Sequence, residues 1–569
     1  MTVRSRSVAA VVVLLVAACS GGEADPPSAT PTSDGSAAES PDALSTAPPP
    51  TGSTGIGDDM TCWTAPAASG AAGITLVDAT ADWGLVDPLT GMYGHAAAWG
   101  DVDGDGFPDL AVGTFANRDP ARYQERGADG PSPDRLLLAT GDGYQVAAGF
   151  PEEFGRTSGS AFVDLDGDGD LDLVLSRNVS DRDAGLAATT VFANEDGRFT
   201  AVTDSGLDPA LPGRSIGVLD VDQDGLLDLV IVEDRYTGGS SRAYRNLGDL
   251  RFEDATESWG MPLDVAGLGI ATGDLNGDRS TDFFVAGSNR LFVGTGSGVT
   301  EVTSNDLVWP PAGPEDDAAG AAIADINRDG WPDLVVGHHY NSTLSQGTPA
   351  PIRLYLNRTA AAGDEPVLDE VTEEAGLVAL PTKAPHVEIV DLDNDGWPDI
   401  LTTASAGDGA TPAVFRSTGV DGGIPRFESP TGLGSAQYWV AGPTADIDHD
   451  GRLDALLVEW EPALPSLLMV NQSASGHWLQ VSVGPELGGG VGTTVAVYEA
   501  GGAGDLDRLV GIREIVATVG YTAGIEQIAH LGLGDATEVD VVVTPPPGHD
   551  PITLTGVAAD QHLRLPNGC

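Results

Sequence analysis

One ten-residue phrase returns seven times along the chain. It reads DVDGDGFPDL from Asp101, DLDGDGDLDL from Asp164, DVDQDGLLDL from Asp220, DLNGDRSTDF from Asp274, DINRDGWPDL from Asp325, DLDNDGWPDI from Asp391 and DIDHDGRLDA from Asp446. Successive copies begin 63, 56, 54, 51, 66 and 55 residues apart. That period is too long for a solenoid repeat and fits a four-stranded propeller blade. A small-residue apolar strand leads into each phrase (HAAAWG before Asp101), a second leads out (DLAVGT from Asp109), and a third follows (RLLLATGDG from Arg135). Several units then close on a phrase such as RFEDATESWG from Arg251, RFTAVTDSGL from Arg198 or LDEVTEEAGL from Leu368. The aspartate phrase is therefore expected as the turn between strands one and two.

The closing phrase also stands before the first unit, as ITLVDATADWGL from Ile74, and it is missing after the seventh. The spare strand, 74–85, is expected to complete the seventh unit, because closing the ring removes two exposed sheet edges. An open array is the alternative. The expected fold is all-β: a seven-bladed β-propeller over 61–475, then a small β-sandwich-like domain over 476–569. In that last segment, alternation at 478–483 and 495–498, with Gly and Pro turns between, again indicates strands.

Carboxylates at positions one, three, five and nine of the phrase, with a backbone carbonyl at seven, set five oxygens around one point. A hard cation such as Ca²⁺ takes roughly six to eight oxygens at about 2.3–2.6 Å. The candidate ligands are Asp101, Asp103, Asp105, Phe107 and Asp109 in the first copy, and Asp164, Asp166, Asp168, Asp170 and Asp172 in the second. They continue as Asp220, Asp222, Asp224, Leu226 and Asp228, then Asp274, Asn276, Asp278, Ser280 and Asp282. The last three sets are Asp325, Asn327, Asp329, Trp331 and Asp333; Asp391, Asp393, Asp395, Trp397 and Asp399; and Asp446, Asp448, Asp450, Arg452 and Asp454. Glycine at position six permits the backbone reversal. In the fourth copy Arg279 stands there, which makes that site the weakest. An EF-hand is the wrong reading, since Val112 replaces its twelfth-position acid and a strand follows. Asp and Gly also favour ordinary turns, but seven copies with one spacing point to Ca²⁺, up to seven ions, in a structural role.

Charge narrows the partners. There are 27 basic and 85 acidic residues, 27 − 85 = −58. Such a chain repels nucleic acid and anionic lipid, and attracts cations. At the N-terminus, Arg4 and Arg6 precede an apolar run over Val8–Ala18, 11 residues, against the ~20 of a membrane span. Residues 1–18 read as a secretory signal. Val16-Ala17-Ala18-Cys19 resembles a bacterial lipobox, which makes Cys19 a lipidation site; an ordinary signal peptide with Cys19 incidental is the alternative. Residues 19–60, nearly free of large apolar side chains, read as a disordered tether. The protein is thus expected to be exported and lipid-anchored at the cell surface. Cys62 and Cys569 then remain, as one disulfide or as two thiols.

Basic and imidazole residues are scarce, yet several fall opposite the aspartate turns. His95, Arg156, Arg214 and His386 stand at the entrance to a first strand. Arg235, Tyr236, His338, His339 and Tyr340 follow a second strand. Together they would hold an anionic sugar, a peptide carboxylate or another surface polymer, or simply pair with nearby acids. The first functional reading is a monomeric, non-enzymatic surface binding or adhesion protein whose partner is an extracellular protein or polysaccharide. The alternative is a calcium-dependent polysaccharide lyase using Arg235, His338, His339 and Tyr340 as base and charge neutraliser. No GxSxG, HExxH, CxxC or P-loop phrase is present, and no catalytic residue is assigned.

The phrase and its period resemble the FG-GAP/VCBS-type repeats, also seen in the integrin α-chain propeller, over about 74–475. HWLQVSV from His477, GTTVAVYE from Gly492, Gly520-Tyr521, HLGLGDATEVD from His530 and ADQHLRL from Ala559 resemble the ASPIC/UnbV domain. The pairing is that of the cartilage acidic protein family. Two departures stand out: Pro545-Pro546-Pro547-Gly548 in place of a Trp-Pro-x-Gly turn, and Thr522-Ala523 in place of polar residues after Gly-Tyr. The resemblance implies extracellular Ca²⁺ binding and adhesion, with no established catalysis.

Overall fold

Each copy of the phrase joins the first two strands of one four-stranded antiparallel sheet. The computed structural model describes residues 60–566, apart from 69–72, 126, 142, 180–184, 308–316, 341–348, 408, 435–436 and 461–463. Residues 1–59 and 567–569, with Cys19, Cys569, the expected signal and most of the expected tether, lie outside the described residues. The first sheet orders Gly94–Gly100, Asp109–Thr114, Arg135–Ala139 and Tyr144–Val146. The next five sheets repeat this order, starting from Thr157–Val163, Gly213–Leu219, Gly269–Gly273, Asp317–Ala324 and Val387–Val390. The seventh holds Thr444–Ala445, Asp454–Leu457 and Leu467–Asn471, and its fourth strand is Leu76–Asp78 from the start of the chain.

Apolar residues of each sheet pack against the next, so the sheets are the layers and the core lies between them. Phe162 and Leu173 of the second sheet meet Ala98 and Leu136 of the first, and equivalent clusters join every further neighbour up to the sixth and seventh. One more cluster joins Leu456 and Leu468 of the seventh to Trp99 and Leu110 of the first. That contact makes the array a ring. Closure also has a local device. Leu76 pairs with Asn471 and Asp78 with Met469. The Thr80 hydroxyl donates to Asp78 Oδ1 at 2.6 Å and accepts the Leu468 N–H at 2.9 Å. Asp254 and Thr256 do the same for Ala243 in the third sheet, which explains the recurring Asp-Ala-Thr of the closing phrase.

A second clasp runs between sheets. Asn246, Asn357 and Asn471 end their third strands and Asn194 is one residue short of its strand's end; each donates from Nδ2 to a main-chain carbonyl of the preceding sheet: Leu165, Leu275, Leu392 and, for Asn194, Val102, at 2.7–2.9 Å. A buried carbonyl left without a donor costs about 1–3 kcal/mol, so these amides fix the stagger of neighbouring sheets.

The tail forms two four-stranded sheets that face one another. One orders Thr61–Thr64, Gln561–Leu565, His477–Val483 and Ile528–Gly534; the other orders Leu509–Glu514, Thr494–Glu499, Glu538–Thr544 and Ile552–Ala558. Leu479, Val481, Val495, Val497, Leu531 and Val541 fill the space between. Residues 61–64 were expected within the ring. They pair instead with the last strand, Thr61 opposite Leu563, because the fourth place of the seventh sheet is taken by Leu76–Asp78.

From this sandwich a hairpin, Thr518–Val519 and Ala523–Gly524, enters the centre of the ring. Ala523 and Gly524 pair in parallel with Ala97 and Ala98 of the first sheet. The Thr518 hydroxyl donates to the Ile216 carbonyl, the Ser215 hydroxyl accepts the Thr522 N–H, Gln527 donates to the Phe162 carbonyl, and Gly520 bridges Ala321. The hairpin and the Gln527 that follows it thus touch the inner strands of sheets one, two, three and five. Its tip leaves no room for side chains: a Cβ on Gly320 would sit 2.5 Å from the Gly520 carbonyl carbon, and Gly520 itself has φ +63°.

Candidate functional site: seven carboxylate turns and the opposite mouth

The ninth-position aspartates are the best buried acids of the ring. Asp109, Asp172, Asp228, Asp282, Asp333, Asp399 and Asp454 are each 0–1% exposed. In every sheet Oδ2 accepts the amide of phrase position two, as from Val102 to Asp109 at 2.9 Å and from Ile447 to Asp454 at 3.2 Å. Oδ1 accepts an amide of the third strand, as from Ala139 to Asp109 and from Asn471 to Asp454, both at 2.7 Å. The first-position carboxylate accepts the amides of positions five and six; for Asp391 these come from Asp395 at 3.2 Å and Gly396 at 2.8 Å. The fifth-position carboxylate accepts the amide of position seven, including Phe107, Trp331, Trp397 and Arg452.

These bonds fold the turn so that carboxylates converge. Asp101, Asp103 and Asp109 bring three oxygens within 4.8 Å of one another, and so do Asp164, Asp166 and Asp172; Asp220, Asp222 and Asp228; Asp391, Asp393 and Asp399; and Asp446, Asp448 and Asp454. The fourth and fifth turns carry Asn276 and Asn327 at position three, so their three-oxygen set is two carboxylates and an amide. Within the clusters Asp222 Oδ1, Asp393 Oδ1 and Asp448 Oδ1 are buried and accept no hydrogen bond. An orphaned carboxylate oxygen facing two more carboxylates is what a hard cation satisfies. Arginines offset part of the charge: Arg245 pairs with Asp222 and Asp224, and Arg416 with Asp393 and Asp395, at 2.6–3.0 Å. One guanidinium against four acids leaves each of these turns strongly negative. Burial, reinforced by neighbouring carboxylates, pushes Asp109 and Asp228 up to about 8, Asp172 and Asp448 to about 7, and Asp101 and Asp220 to about 6.

Position four was not singled out in the sequence, and it matters. It is left-handed in every turn, as is position six. Where it is not glycine its side chain reaches the next turn around the ring. Gln223 donates to Ser280 at 3.0 Å, Arg328 lies 4.2 Å over Trp397, Asn394 donates to the Gly451 carbonyl at 2.7 Å, and His449 stacks on Phe107 at 4.5 Å. A left-handed non-glycine residue costs about 1–2 kcal/mol, which these contacts offset. Arg279, the departure at position six of the fourth turn, keeps the turn's shape: its amide still donates to Asp274 at 2.8 Å. Its guanidinium donates to the carbonyls of Pro545 and Pro546 at 2.6 and 3.1 Å. The substitution therefore grips the tail's Pro-Pro-Pro-Gly turn.

The tail sandwich lies on the aspartate-turn face. Gln480 donates to Asp446 at 3.0 Å, His530 contacts Asn394 at 2.8 Å, Arg328 donates to the Leu509 carbonyl at 2.8 Å, and Trp63 stacks on His449 at 3.9 Å. Between ring and tail a cavity of about 100 Å³ is lined by Asp391, Asp446, Arg513, Glu514 and Glu526 among others. Burial pushes Glu514 up to about 7 and Glu526 to about 8.

The hairpin carries Tyr521 through to the opposite mouth, where most of the sequence-selected cations and imidazoles gather. Tyr521 is 1% exposed. Arg214 Nη1 donates to its hydroxyl and approaches His95 Nε2, both at 3.3 Å, while Arg214 pairs with Asp234 at 2.5 Å. His95 stacks on Phe115 at 4.3 Å, and Arg156 lies 4.7 Å over the same ring. His339 Nδ1 is 3.2 Å from the Tyr236 hydroxyl, and Arg235 donates to the Gly287 carbonyl at 2.6 Å. His386 does not reach the mouth surface: it is 0% exposed, and its Nδ1 accepts the Tyr521 amide at 3.3 Å, whereas His338 is 4% exposed, as is His95. Tyr340 ends its strand, and its side chain lies outside the described residues. Arg118, Lys383, Tyr438 and Trp460 complete the mouth and were missed, because loop residues carry no period that would mark them.

An FG-GAP-like repeat model matches residues 164–231, 220–285, 274–336 and 373–457, an FG-GAP repeat model matches 93–119, and an ASPIC and UnbV model matches 488–568. The chain is built of FG-GAP repeats and an ASPIC and UnbV domain. It is homologous to cartilage acidic protein 1. Identity to the Mus musculus protein is 26% over 495 residues, 81% of this chain and 71% of that one. Identity to the Homo sapiens protein is 26% over 496 residues, 81% and 70% of the two chains. Among solved structures, an Agrocybe aegerita lectin specific for non-reducing terminal N-acetylglucosamine is similar with TM-score 0.38 and 17% identity, over 67% of this chain and 86% of that one.

The FG-GAP turns generate a pH dependence. Without a bound cation, the folded ring holds protons on Asp101, Asp109, Asp172, Asp220 and Asp228 that the unfolded chain releases near pH 4, up to folded values of about 6 to 8. Stability of the cation-free ring then falls as pH rises through that window. Cation binding requires the deprotonated form, so the ion's contribution grows over the same range. Thermal melts in chelator should drop in midpoint from pH 5 to pH 8, and the increment on adding Ca²⁺ should be larger at pH 8. A midpoint in chelator that rises with pH contradicts this assignment.

Proposed function

We propose that this protein is an exported, calcium-dependent binding protein, held at the membrane surface through a lipid on Cys19, and not an enzyme. The carrying observation is the set of orphaned, buried oxygens on Asp222, Asp393 and Asp448 inside all-carboxylate clusters. Ca²⁺ bound there would add the missing partner and cancel repulsion within the turn, and its role is structural. At tenfold excess over Kd, one such site stabilises the fold by about 1.4 kcal/mol, and several sites act on one ring. The tail rests on these same turns, so calcium would hold ring and tail as one unit and keep the opposite mouth in shape for a surface partner.

Among the described residues no helix is long and apolar enough to cross a membrane. Cys62 is disulfide-bonded, and the pairing of Thr61–Thr64 with Gln561–Leu565 sets it close to the end of the chain. Cys569 is the partner we assign. That bond would lock the first strand to the last.

Chelator should lower the melting midpoint of the wild type, and Ca²⁺ should restore it. Asp393→Ala should lose more of this calcium increment than Asp278→Ala, since Asp393 lies in a three-carboxylate cluster and Asp278 does not. A melting curve unmoved by chelator would sink the calcium assignment. Separately, the wild type should partition with membranes and Cys19→Ala should not. A non-reduced digest should yield one linked Cys62–Cys569 peptide pair; a soluble wild type, or two alkylatable thiols, removes the corresponding part of the account.

A further inference from the structure

The chain has 27 basic residues and a single lysine, against 85 acids. Five of the 27, including that lysine, meet at the mouth opposite the FG-GAP turns. Burial holds the imidazoles of His95 and His339 neutral, reinforced by Arg214, Arg118 and Arg156 around His95 and by Lys383, Arg214 and Arg235 around His339. The cations are interleaved with aromatic faces. Arg118 lies 4.3 Å over Trp460. The Trp460 indole donates to the Tyr438 hydroxyl at 2.9 Å, and Lys383 donates to the same hydroxyl at 3.1 Å while lying 4.9 Å over the Tyr438 ring. Arg235 sits 5.9 Å over Tyr236, which is 54% exposed. At the floor, Tyr521 of the tail closes the channel between His95 and His339, at ring distances of 5.7 and 6.3 Å.

We propose that this mouth, built from ring and tail together, binds a carboxylate-bearing saccharide, a short uronic-acid oligomer. The proposal rests on the binding role proposed above and names its ligand. Three features carry it. A protein of net charge −58 repels anions everywhere except where its cations are concentrated, so an acidic ligand is steered to this mouth. Guanidinium and ammonium groups match carboxylates in charge and hydrogen-bond geometry. Aromatic rings set between those cations offer flat apolar faces of the size of a sugar ring, with polar edges from Tyr236 and Tyr438. A neutral His95 held by Arg214 keeps its buried Nδ1 as a further donor, and that nitrogen makes no protein hydrogen bond. The floor comes from Tyr521, so the site exists only when the hairpin is docked.

The test is calorimetric titration of di- and trigalacturonate, and of their methyl esters, into the full chain at saturating Ca²⁺. The acids should bind saturably and lose affinity with added salt, and the esters should not bind. Tyr236→Ala and Lys383→Met should each weaken binding roughly tenfold or more, while Arg508→Ala, which removes a charge on the tail, should leave it unchanged. Each variant is checked for a wild-type calcium-dependent melt, so that misfolding is not read as lost binding. Failure of the wild type to bind galacturonate, glucuronate or guluronate oligomers overturns the proposal, as does undiminished binding by Tyr236→Ala and Lys383→Met. Displacement of the oligomer by a peptide carboxylate at lower concentration also overturns it, in favour of a protein partner. A calcium-dependent melt with no saccharide bound removes this inference and leaves the calcium role standing; a melt indifferent to chelator removes the calcium role whatever the sugars do.

Discussion

A carboxylate with both oxygens taken by backbone amides is the joint on which this ring is built. Asp109 and its six counterparts each accept one amide from the aspartate turn and one from the third strand. One side chain so ties the turn to two strands beyond it. Each carboxylate oxygen has lone-pair capacity beyond one amide, and in five sheets an oxygen of this residue also lies within 4.8 Å of oxygens from positions one and three. The same group therefore belongs to the sheet and to the carboxylate cluster. Three to four acids crowded in one turn repel one another, and burial raises that cost. The fold is stable to the extent that something positive answers them, and the few arginines nearby answer only in part.

That constraint extends past the ring. The tail rests on the turn face through Arg279, Arg328, Asn394 and Gln480, all within or against the aspartate turns. Position-four side chains connect one turn to the next around the same face. A loss of order in one turn is thus felt by its neighbour and by the sandwich above it. The hairpin carries the consequence to the far side, since Tyr521, 1% exposed, is held there by the Arg214 side chain and by its own amide's bond to His386. Turns on one face and a mouth on the other are joined by the hairpin in the channel.

Much of this was legible in the sequence because repetition multiplies weak signals. Seven copies of one aspartate phrase gave the turns, and a closing phrase in surplus at Ile74 and missing after Asn471 gave the strand that completes the seventh sheet. The recurring Asn at the end of the third strands was visible too, but nothing local reveals that its amide reaches the previous sheet. Other features have no period to expose them. Arg279 reads as a flaw in the phrase and acts as a grip on Pro545 and Pro546. Gly520-Tyr521 entered only as part of the ASPIC/UnbV resemblance, yet its neighbours are Ala321 and His386, both distant in sequence. Residues 61–64 have a strand's length and no mark of which sheet they join; that was settled by which edge remained open.

The central claim is that the carboxylate turns are filled by Ca²⁺ in the working protein and that ring and tail depend on it. Native mass spectrometry of the purified chain, prepared in calcium and then stripped with chelator, counts the ions directly. Between five ions, one for each three-carboxylate cluster, and seven, one for each copy of the phrase, should remain bound, and stripping should shift the charge-state distribution to that of an expanded chain. A mass with no retained metal, and an unchanged compact distribution after chelation, would contradict the account.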